Sequence, residues 1–194
     1  MTILAMNVGI FEQRSTANDV RTKAVHEVAE AGLAQGAEFL FRQQPAMLTF
    51  PSGTGTWTAC AADDTTFPCG SVGTDLVDVD GDPATNVTVA RRATMYRLTN
   101  SGASIANLDA ALVSRMLNIP ASAKIAAVGS GFTVAYGVGP VMCFVANKHA
   151  DEPANSPIRC TTDAAQASDR RIATLVSVAS MVGENARTTL TQTV

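Results

Sequence analysis

The first 44 residues decide the fold, and they read MTILAMNVGIFEQRSTANDVRTKAVHEVAEAGLAQGAEFLFRQQ (Met1–Gln44). No proline interrupts them, and Pro45 follows them directly. Because a proline inside a helix removes a hydrogen bond and clashes with the preceding turn, this stretch can form one uninterrupted helix. Asn18 and Asp19 are weak helix formers, so a kink or a second helix start is predicted there, if anywhere. The stretch predicts one long N-terminal helix.

The second half of this helix is amphipathic from Val20 onward. Its apolar residues recur at spacings of three and four, which places them on one face. They are Val25, Val28, Ala29, Leu33, Phe39 and Leu40. Gly32 and Gly36 lie on or next to this face, and each costs about 1 kcal/mol relative to alanine in a helix. We therefore expect another backbone to approach the helix closely at the two glycines.

The opening of the helix is apolar nearly all round before a polar band begins at Glu12. A segment that is apolar on all sides is better suited to burial among neighbouring helices or in lipid than to packing one face against a core. The alternative is that these residues belong to the core of the domain. The run predicts the tail of a longer hydrophobic segment, with an export signal and a membrane anchor missing, and a chain that is itself soluble. The predicted assembly interface comprises Ile3, Leu4, Met6, Val8, Ile10 and Phe11.

Composition predicts one folded domain that does not bind nucleic acid. Of 194 residues, 46% are hydrophobic and only 16% are charged, which is typical of a globular chain with a real core. The net charge is −3 without any basic block. Because phosphate binding requires clustered Lys and Arg, nucleic acid is not an expected partner.

The remainder of the chain, residues 45–194, predicts a β-rich head. Runs rich in β-branched residues or with alternating polarity predict strands, and glycine-rich or proline-rich stretches separate them. Strands are predicted within Asn86–Thr99 (one strand or a hairpin), Lys124–Ala146 (broken at 129–131 and 137–140), Arg171–Ser180 and Ala186–Val194. Ser101–Asn118 returns to helical spacing and predicts one short additional helix. The fold class is therefore α+β, with the helix of residues 1–44 packed on an antiparallel sheet of the head and forming one domain with it.

Four cysteines form two sequence-local couples in loop sequence: Cys60 with Cys69, and Cys143 with Cys160. Four cysteines allow three pairings, and neither couple has the Cys-x-x-Cys spacing of zinc or thioredoxin-like sites. The local pairing, Cys60–Cys69 and Cys143–Cys160, is favoured, which indicates an oxidising compartment. Four reduced and buried thiols in the cytosol are the alternative.

An acidic turn is the strongest candidate for ion binding. Asp78, Asp80 and Asp82 alternate around Gly81, and converging carboxylates are ligands that Ca²⁺ prefers. The spacing does not satisfy the EF-hand rule, and the alternative is an Asp-Gly turn with its charges in water. No other cofactor is expected.

Other short motifs do not predict an enzyme. His26-Glu27-Val28-Ala29-Glu30 lacks the second histidine of the zinc protease motif, so a solvated helix face is expected. Gly129-Ser130-Gly131 has neither of the glycine spacings of phosphate-binding loops and is predicted to be a hairpin turn. The sequence contains no G-x-S-x-G motif.

The helix resembles a known family. The apolar start followed by the E-x-R-x-x-x-N band of Glu12–Asn18, then Val28–Leu33 and Glu38, is similar to minor pilins of type IV pili, in particular the PilX-type pilus assembly proteins. The loop Trp57–Gly70 is also similar to the segment that follows the helix in that family. The resemblance covers about a third of the chain.

The resemblance implies a pilin fold and a structural, non-enzymatic role in priming pilus assembly. It implies an inner-membrane precursor with a periplasmic head that later joins an extracellular pilus serving adhesion and twitching motility. The implied partners are other minor pilins, the major pilin and a large tip adhesin. The leader peptide and the glutamate near the mature N-terminus of pilins have no counterpart here, so those roles are assigned to no residue. The alternatives are a pseudopilin of a type II secretion system and, in another class, a secreted calcium-dependent binding or hydrolytic domain using Asp78–Asp82.

Overall fold

The fold is known from a computed structural model that describes residues 2–42, 57–80, 82, 84–85, 87–98, 124–126 and 133–194, and only the backbone of 2–13, 42 and 124–126. Within these residues one long helix packs against an antiparallel sheet, so the α+β class is confirmed. The predicted short helix, Ser101–Asn118, lies outside the described residues.

Helix α1 spans Thr2–Arg42, and the long N-terminal helix is therefore confirmed. It continues without interruption through Asn18 and Asp19, where a kink was possible. At 1.5 Å per residue, a helix of 41 residues is about 60 Å long. Among the residues whose side chains are described, burial against the sheet begins only after Val20.

Among the described residues, eight strands follow the helix and form two sheets. They are β1 (Trp57–Ala59), β2 (Leu76–Asp78), β3 (Thr88–Ala90), β4 (Tyr96–Leu98), β5 (Lys124–Ala126), β6 (Thr133–Ala146), β7 (Ala167–Met181) and β8 (Arg187–Thr193). The main sheet has the order β1-β4-β6-β7-β8, with β5 also paired to β6, while β2 and β3 form a separate hairpin. The predicted strands over Arg171–Ser180 and Ala186–Val194 are confirmed as β7 and β8. The turn between them contains Gly183, whose φ of 83° favours glycine.

The near face of the sheet packs against α1. Strands β6 and β7 place alternate side chains on this face, and the helix buries Val25, Ala29 and Phe39 against them. The predicted apolar stripe is therefore confirmed, with Leu33, Val28 and Leu40 packed at its edges. This interface is the main core of the described residues and joins the helix and the sheet in one body.

The two helix glycines allow this close approach. A Cβ atom on Gly32 would lie 2.4 Å from Ser177 Oγ, and one on Gly36 would lie 2.9 Å from Val138 Cγ2. Real Cβ atoms do not make such short contacts, so with any other residue the helix or the side chain beneath it would have to shift. The predicted close packing at both glycines is confirmed, although the atoms that approach them belong to side chains of the sheet and not to another backbone.

The far face of the sheet is covered by loop sequence instead of a second helix. Val141, Cys143, Val176 and Val178 point to this face and pack with the Cys60–Cys69 disulfide. Strand β6 is therefore buried on both sides, and every side chain from Val134 to Ala146 is buried. A strand buried on both faces is apolar throughout and does not alternate with polar residues, as the β6 sequence TVAYGVGPVMCFVA shows.

The predicted break at Gly137–Pro140 is wrong, because β6 runs through these residues. Gly139 serves a close contact and not a turn, since a Cβ atom there would lie 2.6 Å from Phe67 Cε1. On one side of β6, Pro140 pairs with Leu175 of β7. On the other side, β5 pairs with residues 133–135 and β4 with residues 141–142, so no described strand pairs with Pro140 there. A proline is tolerated where one edge of a strand needs no hydrogen bond.

The prediction of one strand or hairpin over Asn86–Thr99 is also wrong. The stretch contains β3 and β4, which belong to different sheets, with a 3-10 turn at Arg91–Thr94 between them. Arg92 in this turn is buried and donates hydrogen bonds to the carbonyl oxygens of Val72 and Gly70. A long-range contact thus overrides the local β propensity of this run.

The Gly32 contact can be tested by a pair of substitutions. Gly32→Ala should lower the free energy of unfolding by about 1–3 kcal/mol, because the steric clash exceeds the gain in helix propensity. In a Ser177→Ala background the hydroxyl contact is gone, and the added Cβ would lie 3.2 Å from Tyr136 Cδ2 and 3.5 Å from the Cβ of residue 177. There the same glycine substitution should cost much less. Urea unfolding of the four proteins measures the coupling, and equal effects in both backgrounds would contradict the close approach.

Candidate functional site

The candidate assembly surface is the part of α1 that precedes its contact with the sheet. All side chains from Arg14 to Val20 are exposed, and Val20 itself is 52% exposed. Burial begins only after this point, with Val25 as the first fully buried residue. Arg21 marks the end of the head, because its Nη1 lies 3.3 Å from Glu184 Oε2 in the turn between β7 and β8. The stretch from Arg14 to Val20 therefore precedes the part of the helix that the head buries.

The residues assigned to the assembly interface precede this exposed stretch on the same helix. Their backbone belongs to α1, and their side chains lie outside the described part of the structure. They are Ile3, Leu4, Met6, Val8, Ile10 and Phe11. Their role stays a prediction, while the helix that would carry them is present.

Both predicted disulfides, Cys60–Cys69 and Cys143–Cys160, are present, and they leave no free cysteine. The first closes the loop that covers the far face of the sheet. Buried Arg92 supports this loop by donating to Val72 O at 2.8 Å. The pairing indicates folding under oxidising conditions.

The second disulfide attaches the loop of residues 147–166 to the sheet. Cys160 also bridges to Val145 of β6, and the Ala146 N–H donates to Arg159 O at 2.9 Å. Inside the loop, Arg159 Nη2 lies 2.5 Å from Glu152 Oε2, and the two side chains are only 11% and 5% exposed. This ion pair joins residues seven positions apart in a loop, a relation for which the sequence contains no recognisable pattern.

Glu152 has a perturbed acidity because of these contacts. Burial opposes its ionisation, but the His149 N–H, the Arg159 charge and the Ser156 hydroxyl together hold the pKa of its carboxyl below the usual range. The charged form is therefore stabilised in the folded loop. Glu152 acts as a structural anion that organises residues 149–159.

The acidic turn lies at the tip of the β2–β3 hairpin. Asp80 accepts hydrogen bonds from the Thr85 hydroxyl and from the Asp82 N–H, the latter at 3.1 Å. The Thr85 hydroxyl is the main cause that holds the pKa of Asp80 low. Within the described part of the chain, no group of three or more His, Cys, Asp or Glu side chains is arranged to hold a metal ion. Calcium binding by Asp78, Asp80 and Asp82 stays a prediction that this geometry does not strengthen.

The remaining sequence candidates show no catalytic arrangement in the described regions. His26 and Glu30 are exposed on α1, with His26 Nδ1 3.6 Å from Glu30 Oε1, as expected for a solvated helix face. Gly129-Ser130-Gly131 lies outside the described residues.

The described residues include no helix that is both long enough and apolar enough to cross a membrane.

Comparisons with known proteins add no relative: no family model, curated protein or solved structure matches this chain.

The ionised Glu152 should make loop stability dependent on pH. Because its folded pKa is lowered, its contribution is present above the ordinary glutamate pKa of about 4.3 and is lost as the pH falls through the lower folded value. The protection factors of the 149–159 amides, which correct for the intrinsic pH dependence of hydrogen exchange, should therefore fall on acidification in the wild type. In Glu152→Gln these protection factors should be lower already at neutral pH and should change less on acidification.

Asp64 and Asp80 also have lowered pKa values, so acid destabilises other parts of the head as well. Only the difference between wild type and Glu152→Gln therefore reports on Glu152, and Glu184→Gln is an exposed-residue control. Identical pH profiles for wild type and Glu152→Gln would contradict this role for the ion pair.

Proposed function

We propose that this chain is a pilin-like subunit of the minor-pilin class, which acts in the assembly of a type IV pilus by helix packing. The observation that carries the proposal is the unequal use of α1. Its second half is fixed to the sheet through the Gly32 and Gly36 contacts, while Arg14–Val20 continues the same helix with exposed side chains. A rigid helix that extends beyond its own domain can pack against equivalent helices of other subunits.

The head supports this role by its resistance to deformation. The helix is held on one face of β6 and β7, and the disulfide-closed loop packs on the other face. A displacement of the exposed part of the helix therefore moves the head with it, because no linker lies between them. A subunit that places a head at a defined position in a fibre needs this continuity.

The two disulfides support the proposed compartment. They would form in the periplasm and persist outside the cell, whereas cytosolic thiols are kept reduced. In the proposal the subunit passes through an inner-membrane stage with a periplasmic head before it enters the pilus. Its proposed partners are other minor pilins, the major pilin and a large tip adhesin.

Deletion of the gene tests the class of function. We expect fewer surface pili by electron microscopy and reduced twitching motility, with recovery when the wild-type gene is returned. Normal pili and motility would overturn the proposal. If secretion of type II substrates were lost instead, the protein would be a pseudopilin.

Complementation with surface variants tests the mechanism. Two glutamates at exposed positions of α1, Ala17→Glu with Val20→Glu, should fail to restore piliation, because charges would then oppose packing against neighbouring apolar helices. The matched control, Ala165→Glu with Val194→Glu, changes an exposed alanine and an exposed valine of the head and should restore it. Equal melting temperatures of the two purified variants would show that misfolding is not the cause. Full recovery with the helix variant would contradict the helix-packing mechanism.

A further inference from the structure

A groove of about 790 Å³ lies on the far side of the sheet, opposite the face that α1 covers. Its floor is formed by Cys143, Ile172 and Thr174, which alternate along β6 and β7 with the residues that pack against the helix. One wall is the β2–β3 hairpin with the turn that follows it, and the other wall is the 151–160 part of the second disulfide loop. The groove is therefore separate from the proposed assembly surface.

Both walls of the groove are fixed before any partner binds. The loop wall is held by the Cys143–Cys160 disulfide and by the ion pair of Glu152 with Arg159. The hairpin wall is held by strand pairing and by the Arg91 N–H, which donates to Asp75 O at 2.6 Å. A preformed groove avoids the ordering cost that a flexible surface pays on binding.

The lining is apolar in the centre and acidic at its sides. Met95, Ile172 and Ile158 supply apolar surface, and Ile158 is 55% exposed although it belongs to this fixed wall. The charged lining residues comprise four acids and two bases: Asp75, Asp78, Asp151, Glu152, Arg91 and Arg159. Glu152 and Arg159 neutralise each other, and the carboxylates of Asp75 and Asp151 outnumber the one remaining guanidinium, that of Arg91. The groove therefore carries an excess of negative charge.

This charge selects the class of partner. A negative groove repels nucleic acid and the anionic surface of a membrane, and it attracts Lys and Arg side chains. Carboxylates stand on both walls, with Asp75 and Asp78 on the hairpin and Asp151 on the loop, and the apolar floor lies between them. An extended chain directs successive side chains to opposite faces, so its apolar groups can face the floor while its basic groups face outward. Long Lys or Arg side chains can bend from the outer face to the carboxylates at the edges of the walls.

We propose that this groove binds an extended protein segment in which apolar residues alternate with lysine or arginine. The proposal does not rest on the proposed function, because it concerns the opposite face of the sheet and can be tested on the isolated protein. It adds a second binding surface to the head, one that stays accessible when α1 is packed against other helices.

The test uses ¹⁵N-labelled protein and three acetylated, amidated hexapeptides in which leucine alternates with lysine, glutamine or glutamate. At millimolar concentration the Leu-Lys peptide should shift the amide signals of Val77, Ile158 and Ile172, and it should bind more tightly than the Leu-Gln peptide. The Leu-Glu peptide should have the weakest effect. No shift, shifts confined to other surfaces, or equal responses to all three peptides would overturn the proposal. So would an equal response to arginine amide alone, since the occupant would then be a small cation.

Two double variants with the same change in net charge separate local from general electrostatics. Asp75→Asn with Asp151→Asn should weaken binding of the Leu-Lys peptide about three- to tenfold and reduce its salt dependence. Asp63→Asn with Asp169→Asn removes two exposed carboxylates outside the groove lining and should change binding less than twofold. Equal weakening by both pairs would overturn the proposal. Amide signals unchanged away from the substitutions verify that each variant is folded.

A third variant tests the apolar part of the lining. Ile158→Ser should weaken the Leu-Lys peptide several-fold without changing the salt dependence, because it removes apolar contact and no charge. Unchanged affinity for this variant would contradict the placement of apolar side chains in the groove.

Discussion

The structure depends on the distance between α1 and the two central strands, and Gly32 and Gly36 set that distance. At these positions the helix backbone lies directly on the side chains of Ser177, Val138 and Leu175, with no room for a Cβ atom. Each glycine weakens the helix by about 1 kcal/mol, a cost that closer dispersion contacts along the whole interface offset. Helix propensity is therefore reduced at the same positions where packing is tightest.

This close contact has a polar cost as well as a steric benefit. Ser177 Oγ is buried beneath Gly32 and has no hydrogen-bond partner among the described residues. An unsatisfied hydroxyl costs free energy, but a larger apolar side chain at this position would meet the helix backbone. Serine is therefore close to the largest residue that fits. Tyr136 next to it avoids the same cost, because its hydroxyl donates to Gln35 Oε1 of the helix at 2.7 Å.

The parts of the fold that follow from local pattern were predictable, and the parts that follow from distant contacts were not. The helix, its apolar stripe and the local cysteine pairs could be read from spacing alone. The continuity of β6 could not be predicted, because Gly139 followed by Pro140 is typical of a turn. The glycine is explained by the packing of Phe67 on it, and the proline by the lack of a described strand partner on one side of β6 at this position. Both explanations involve residues that are distant in sequence. The split between β3 and β4 depends on Arg92, which binds carbonyls twenty or more residues away.

The same distinction applies to the candidate sites. The exposed stretch of α1 follows from a helix longer than its domain, which the sequence already indicates. The groove on the far face combines the hairpin, two long strands and a loop that are separated along the chain by up to about a hundred residues. Its carboxylates Asp75 and Asp151 belong to unrelated loops in the sequence, and only the sheet brings them to one cleft. No local motif could have predicted their combined charge.

The second disulfide has a consequence for both faces of the sheet, because side chains of a strand alternate with a period of two. In the observed arrangement Cys143 lies on the far face with Val141, and Val138 lies on the near face beneath Gly36. If β6 were rotated by 180° about its own axis, Cys143 would face the helix and could not reach Cys160. Near-face residues such as Val138 would then face the loop side of the sheet instead of α1. Formation of the Cys143–Cys160 bond is thus compatible with only one orientation of β6. The bond that fixes one wall of the groove also selects the orientation of β6 that lets α1 pack on the opposite side.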